Sequence, residues 1–248
     1  MKSGRVITIY PRSGLAGDML VAGLSAAGGL DAGELGKMLS HAGGLLGRCS
    51  VRVVDAEPIE GAPARRLDIS LEADLPGLAA DRARGLLEQL VTDLGLDAPR
   101  AALARRGLEA LLVAEAAAHA DEENPHLHEA QDILIDVAGA AWCLQRIGVT
   151  SIRCGTPLPA GGGTIRCSHG ILDVPAPATA RLLDTHSIPW TPGPIEHELL
   201  TPTGAAMLAA LAPAWIPMDT LDPFVMDGWG LGTRKMDGIQ NGAGISIR

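Results

Sequence analysis

Val6–Tyr10 is a short apolar run rich in β-branched residues, which predicts a strand. Gly17–Ala27 and Ala32–His41 then carry apolar residues at helical spacing. Val51–Ala56 and Leu67–Leu71 read as strands joined by a turn between Pro58 and Pro63. Leu78–Leu94 and Pro99–Ala120 are long, Ala- and Leu-rich helices. An acidic run, Asp121–Glu123, followed by Asn124 and Pro125, interrupts the pattern. Ile133–Ile147 is apolar nearly all round, so it predicts a helix buried on every side. Ser151–Cys154 and Thr164–Cys167 read as strands flanking a glycine turn at Gly161–Gly163. Ala178–Leu183 and Gly204–Leu211 are helices, and Ala243–Ile247 is a last strand.

Strands and helices mixed in this order predict the α/β class, a mixed sheet with packed helices, with α+β as the alternative. No internal repeat or low-complexity linker divides the chain. Residues 1–248 are expected to form a single domain, with a subdomain break near 121–125.

Composition narrows the function. The chain is 47% hydrophobic but only 2% aromatic, so its core must be built from Ala, Leu, Val and Ile. A net charge of −9 argues against a nucleic-acid partner, which calls for a basic stripe. No run of about 18 apolar residues is present, so no membrane span is expected. Met1–Gly4 leads straight into the first strand with no signal-peptide pattern, which predicts a cytoplasmic protein. Cys49, Cys143, Cys154 and Cys167 are widely spaced and form no CxxC, as expected of reduced thiols.

Five segments carry candidate chemistry. Ser13-Gly14-Leu-Ala-Gly17-Asp18 follows a strand and opens a helix, where backbone N–H groups can bind an anion. It lacks the P-loop lysine, and Asp18 could hold a metal, orient a cationic ligand or simply complement the helix dipole. In Pro125-His126-Leu-His128-Glu129, the two histidines project from one face of an extended segment and suit Zn, Ni, Fe or Mn. Asp132 and Asp136 follow, one helical turn apart. A carboxylate within an apolar helix is costly unless paired or liganded. His169-Gly170 precedes a segment stiffened by Pro175 and Pro177, so His169 is a candidate acid, base or ligand. An acidic pair, Glu196 and Glu198, leads into Thr201-Pro202-Thr203-Gly204, which reads as an N-cap followed by proline at N1. Gly228-Trp-Gly230-Leu-Gly232-Thr-Arg234 reads as a glycine loop ending in an anion-clamping arginine. Asp18, His126, His128, Glu129, Asp132 and Asp136 are expected to converge on one pocket. His169 is expected to face it, with Thr201 and Thr203 in the wall.

The order of these motifs, SGLAGD, HLHE with DILID, HGILDVPAPATARLL, ELLTPTGAAML and GWGLGTR, resembles the N-terminal portion of the LarC family of nickel-insertion proteins. The likeness is dense from about Ala114 onward and sparse between Gly43 and Arg106. It implies insertion of nickel into a pyridinium bis-thiocarboxylate mononucleotide, a small anionic heterocycle, during nickel-pincer cofactor biosynthesis. It implies dependence on CTP, whose site belongs to a C-terminal domain and would here come from a separate partner subunit. Catalytic roles fall to Asp18, Glu129, Asp132, Asp136 and His169. Substrate binding falls to Ser13, Gly14, Gly17, Thr201, Thr203 and Arg234, and metal binding to His126, His128 and Glu129. A second copy of the chain is a further candidate partner.

The chain also departs from the family pattern. Tyr10, Pro11 and Arg12 stand where the family has Asp-Cys-Phe, only Ala130 and Gln131 separate Glu129 from Asp132, and Val51–Leu94 contains no histidine. These departures predict weaker nickel binding than in a full family member. They keep two alternatives open: a divergent, metal-free enzyme of specialised metabolism, and a non-catalytic metal or ligand carrier.

Overall fold

The computed structural model describes residues 4–71, 77–118, 126–127, 130–167, 170–221, 225–234, 236 and 238–248. In chain order the elements are β1 (Arg5–Tyr10), α1 (Gly17–Ala27), α2 (Ala32–Gly44), β2 (Cys49–Ile59), β3 (Ala62–Leu71), β4 (Leu78–Ala79), α3 (Ala80–Asp93), α4 (Ala98–Ala118), β5 (His126–Leu127) and α5 (Ala130–Ile147). They continue with β6 (Val149–Thr156), β7 (Leu158–Pro159), β8 (Thr164–Cys167), β9 (Gly170–Asp173), α6 (Pro177–Thr185), β10 (Trp190–Thr191), α7 (Pro202–Leu211), β11 (Ala214–Pro217), β12 (Gly228–Leu231) and β13 (Gly242–Ile247).

Seven strands form one mixed sheet in the order β11-β6-β1-β13-β12-β3-β2. β1 runs parallel to β6, which runs parallel to β11. On its other side β1 is antiparallel to β13, which is antiparallel to β12, and β12 runs parallel to β3. The carboxyl ends of β1, β6, β11, β12 and β3 therefore share one edge of the sheet with the amino ends of β13 and β2. In open α/β sheets this edge is where ligands bind.

One face of the sheet carries the helices. Ile7, Ile9 and Ile245 point into a core shared with Leu20, Val21 and Leu24 of α1 and with Leu35 and Leu39 of α2. Each such side chain, fully buried, contributes about 1.5–3 kcal/mol. Helix α5 packs against α1, α2, α4 and α7 and is buried over most of its length, as its all-round apolar pattern predicts. The opposite face carries a small second cluster of Tyr10, Ala62, Ala64, Met226 and Trp229.

Three sequence expectations are corrected. Strands β2 and β3 run longer than expected, over Cys49–Ile59 and Ala62–Leu71, and turn at Glu60 and Gly61, both with positive φ, within the expected span from Pro58 to Pro63. β6 pairs with β1 and β11, whereas β8 pairs with β9, so Ser151–Cys154 and Thr164–Cys167 do not flank one hairpin. Gly228–Leu231, expected as a loop, is a strand inside the sheet. Its glycines serve close packing instead of turning: a Cβ on Gly230 would overlap the carbonyl oxygen of Met19, and one on Gly228 the backbone of Ala27. Helix α1 can rest on β12 only because both are glycines. The suspected break at 121–125 lies outside the described residues.

Gly230→Ala is therefore expected to push α1 off the sheet and cost about 1–3 kcal/mol. Thermal unfolding checks this, at roughly 2–4 °C of midpoint per kcal/mol for a chain of this size. An unchanged midpoint would show that the helix–strand contact is loose.

Candidate functional site

Among the described residues, the parts of these segments around Gly14, Asp18, Asp136, Thr201 and Arg234 meet above the carboxyl ends of β1, β6 and β12. After β1 the chain turns through Gly14, whose φ of +80° suits only glycine and whose missing Cβ lets it lie against the carbonyl of Leu199. Leu15 then bridges to Leu200: its N–H donates to the Leu199 carbonyl at 3.0 Å, and its carbonyl accepts from the Thr201 N–H at 3.1 Å. The loop after β6 joins in through Gly161, which bridges to Glu198. Three loops distant in sequence are thus tied by main-chain hydrogen bonds into one platform. Ser13 is buried within it, and Gly17 opens α1 from it.

Asp18 stands in the first turn of α1 and accepts from the Met19 N–H at 2.7 Å. Burial raises its pKa, while the Met19 and Asp18 N–H groups and the Arg234 guanidinium oppose the shift. Arg234 lies in the exposed turn after β12. That turn is closed by Asn241, whose carbonyl accepts from the Gly232 N–H at 3.1 Å and whose Nδ2 donates to the Arg234 carbonyl at 2.8 Å.

Asp136 is the centre of the arrangement. It sits in the buried stretch of α5, only 4% exposed, and its carboxylate lies where a Cβ on Gly17 would be. Burial raises its pKa well above the ordinary carboxylate range, and the charges of Asp132 and Asp18 push the same way. A hydrogen bond from Thr203 opposes them. The Thr203 and Thr201 hydroxyls are 3.0 Å apart, and Thr201 caps α7 by accepting from the Gly204 N–H at 3.2 Å. One donor order satisfies the set: Gly204 N–H to Thr201, Thr201 O–H to Thr203, and Thr203 O–H to Asp136. Oδ1 of Asp136 is buried with no hydrogen-bond partner among the described residues. A lone oxygen of this kind costs stability and marks a place for a proton or a cation.

Asp132, half-buried one turn before Asp136, extends the run of carboxylates toward the start of β2, where it also acts on the Cys49 thiol. The structure thus brings Asp18, Asp132, Asp136, Thr201, Thr203, Gly17 and Arg234 together. Of the remaining candidates, His128, Glu129 and His169 lie outside the described residues, and His126 is described only as backbone in β5. Among the described residues no three His, Cys, Asp or Glu side chains are grouped closely enough to hold one metal ion. The three aspartates are electrostatic neighbours around an unsatisfied oxygen, not a closed coordination shell. Cys49 belongs to this neighbourhood and was missed, because nothing in its local sequence marks it. The fifth glycine segment contributes Arg234 through its end, while its first half belongs to the sheet.

Comparison with known proteins adds the family. The model of the nickel insertion protein family matches residues 7–247. A relative from Thermomicrobium roseum is 38% identical over 240 residues, covering 94% of this chain and 55% of its own. One from Methanosarcina mazei is 32% identical over 247 residues, covering 97% of this chain and 59% of its own. One from Methanothrix thermoacetophila is 41% identical over 136 residues, covering 54% of this chain and 34% of its own. All three are provisionally named nickel insertion proteins, and this chain spans less than two thirds of their length. No solved structure matches. Among the described residues no helix is long and apolar enough to cross a membrane. With the family model matched from β1 to β13, the chain belongs to the nickel insertion protein family, the LarC family.

Proposed function

We propose that this chain is the metal- and substrate-handling part of a cytoplasmic nickel insertion reaction. Nickel is transferred to a pyridinium bis-thiocarboxylate mononucleotide, and CTP is bound by a partner domain or subunit. The observation that carries this reading is the buried, incompletely hydrogen-bonded carboxylate of Asp136, flanked by Asp132 and Asp18. A divalent cation held at Asp136 would offset the burial penalty of its carboxylate and weaken its repulsion with Asp132 and Asp18.

The donor set fits a cargo ion. Carboxylates are hard ligands and hold nickel less firmly than sulfur does, so transfer to a thiocarboxylate runs downhill. His126, His128 and Glu129, immediately before α5, would supply further ligands of a type that suits nickel. Asp136 gives up its proton as nickel arrives, and Thr203 keeps its carboxylate oriented. The anionic end of the substrate would lie at the start of α7 and against Arg234, with Ser13, Gly14, Gly17 and Thr201 shaping the wall. His169 is assigned to proton transfer or ligation at the same place.

A second reading, a repurposed enzyme without metal, is favoured by one observation. Tyr10 and Arg12, where the family carries Asp and Phe, serve the opposite face of the sheet. Tyr10 packs into the second apolar cluster, and Arg12 pairs with Glu60 at 2.7 Å and stacks on Trp229 at 5.7 Å. Activity that survives a strong chelator would favour this reading.

Asp136→Asn is expected to lower nickel affinity by at least about tenfold, as measured by equilibrium dialysis with metal analysis. The pKa of Asp136 is raised, so its contribution to stability is fully present below the ordinary Asp value and is lost as pH rises through the raised value. An asparagine side chain does not ionise. The variant should therefore keep its thermal midpoint above that of the wild type at neutral and higher pH, with the gap closing toward about pH 4. A variant that binds nickel normally would sink the assignment.

Gly17→Ala provides an independent check. Its Cβ would displace the Asp136 carboxylate. Nickel affinity should fall by at least about tenfold, with a stability loss of about 1–3 kcal/mol. Unchanged nickel binding would show that Asp136 does not hold the metal.

A further inference from the structure

The first turn of α6 holds three hydrogen-bond donors with no acceptor among the described residues. Ala176, at the N-cap, has no side chain that could cap the helix, and Pro177 follows at its start with no N–H to place. The first helical bond runs from the Ala180 N–H to the Ala176 carbonyl at 2.8 Å. The N–H groups of Ala178 and Thr179 are therefore left over. Both residues are buried, Ala178 at 5% and Thr179 at 0% exposure.

The third donor is a separate observation. Oγ1 of Thr179 is buried with no hydrogen-bond partner. A threonine hydroxyl within a helix commonly bonds a carbonyl three or four residues back, and this one does not. Side chains in a helix lean toward its amino end, so the hydroxyl points back at the start of α6, where the two N–H groups also point. Unpartnered buried donors are rare, and three around one helix start describe a cradle for an oxyanion. No acidic residue stands in the first turn to occupy it, and Pro177 beside it is exposed, which leaves an approach from solvent.

This cradle lies on the platform side of the molecule. Three residues before Pro177, the Val174 N–H donates to the Gly163 carbonyl at 3.0 Å, and Gly161 of the same loop bridges to Glu198 shortly before α7. Helix α6 packs beside α7, and their last turns meet where Thr185 and His186 line one groove with Ala209 and Ala210. The two helices thus run in the same direction and start on the same side. Axes of packed helices lie about 8–10 Å apart, a span that a mononucleotide bridges from its ring to its phosphate.

We propose that the start of α6 binds the phosphate of the mononucleotide substrate, through the N–H groups of Ala178 and Thr179 and the Thr179 hydroxyl. This rests on the reading of the substrate as a pyridinium mononucleotide and adds the place where its phosphate is held. Three donors match the three terminal oxygens of a phosphate monoester. A carboxylate, with two oxygens in one plane, leaves one donor unmet. The sulfur-bearing end then remains at the start of α7, beside Asp136, where nickel is transferred.

The test titrates the full chain, free of metal and at neutral pH, with nicotinate mononucleotide, with the nucleoside that lacks its phosphate, and with inorganic phosphate. Binding is followed by calorimetry and by the amide proton and nitrogen shifts of Ala178 and Thr179. The nucleoside is expected to bind at least about tenfold more weakly than the nucleotide, and inorganic phosphate to compete with the nucleotide. Thr179→Val should lower nucleotide affinity roughly 10- to 100-fold and leave nucleoside affinity unchanged, and Thr179→Ser should restore it. Because the valine replaces an unpaired buried hydroxyl, the thermal midpoint of the free variant should hold or rise, where a merely structural threonine would let it fall. Nucleotide and nucleoside that bind equally, a valine variant that binds the nucleotide as the wild type does, or a wild type that binds neither nucleotide nor phosphate overturns the proposal. The amide shifts are read on the unmodified protein, so a misfolded variant does not blunt the test: shifts that move with nucleoside and nucleotide alike count against a phosphate site. Nickel binding is measured separately by equilibrium dialysis. Its absence would sink the nickel reading while a phosphate-dependent response at Thr179 still stood.

Discussion

A carboxylate placed inside a helix that is buried on nearly every side imposes the tightest constraint on this structure. Asp136 can be neither hydrated nor moved. Its surroundings must make room for it, orient it and tolerate its charge. Gly17 makes the room, since any side chain at the start of α1 would occupy the space of the carboxylate. Thr203 orients it, and Thr203 is itself held by the Thr201 cap of α7. The starts of two helices and the middle of a third are therefore mutually dependent. A shift in one misplaces the others, which is how a polar group in an interior sets a unique geometry.

The platform around it is built from main chain rather than from side chains. Leu15 pairs with Leu199 and Leu200, and Gly161 pairs with Glu198, so loops from three parts of the chain behave as fragments of a small sheet. Main-chain bonding leaves the side chains free for chemistry and fixes their origins to within a hydrogen-bond length. The requirement for glycine at Gly14 follows from this close approach, whereas Gly17 makes way for the Asp136 side chain. Glycine at Gly228 and Gly230 plays a different part, letting α1 lie directly on the sheet and so setting the height at which Asp18 emerges.

The carboxylates at the site differ in burial. Asp132 is half-buried, Asp136 stands where water is excluded, and the proposed substrate carries sulfur. In the proposed transfer nickel would exchange carboxylate for sulfur, a step suited to a borderline metal. Arg234 and the start of α7 supply positive potential beside the acidic row, as an anionic substrate requires. The curated relatives are longer than this chain, which spans 55% and 59% of two of them.

Much of this was legible in the sequence. Helical spacing marked α1, α2, α5 and α7, and the all-round apolar character of α5 foretold its burial. Thr201-Pro202 announced a capped helix because capping is local chemistry. The motif order pointed to the family, and an aspartate on a wholly apolar helix already demanded an explanation. What remained hidden depends on contacts between distant segments. Gly228–Leu231 looked like a loop because a strand packed directly under a helix needs glycines, and the overlap they avoid is with Met19 and Ala27, far earlier in the chain. Cys49 looked idle because its neighbours in sequence are ordinary. It gains a carboxylate only when the first turn of α5 docks on the loop before β2. The sequence by itself determined which residue types were available for chemistry and which helices would be buried. The tertiary structure alone decided which carboxylates share a field and which oxygen is left unsatisfied, because electrostatic coupling and desolvation depend on distance through space, not along the chain.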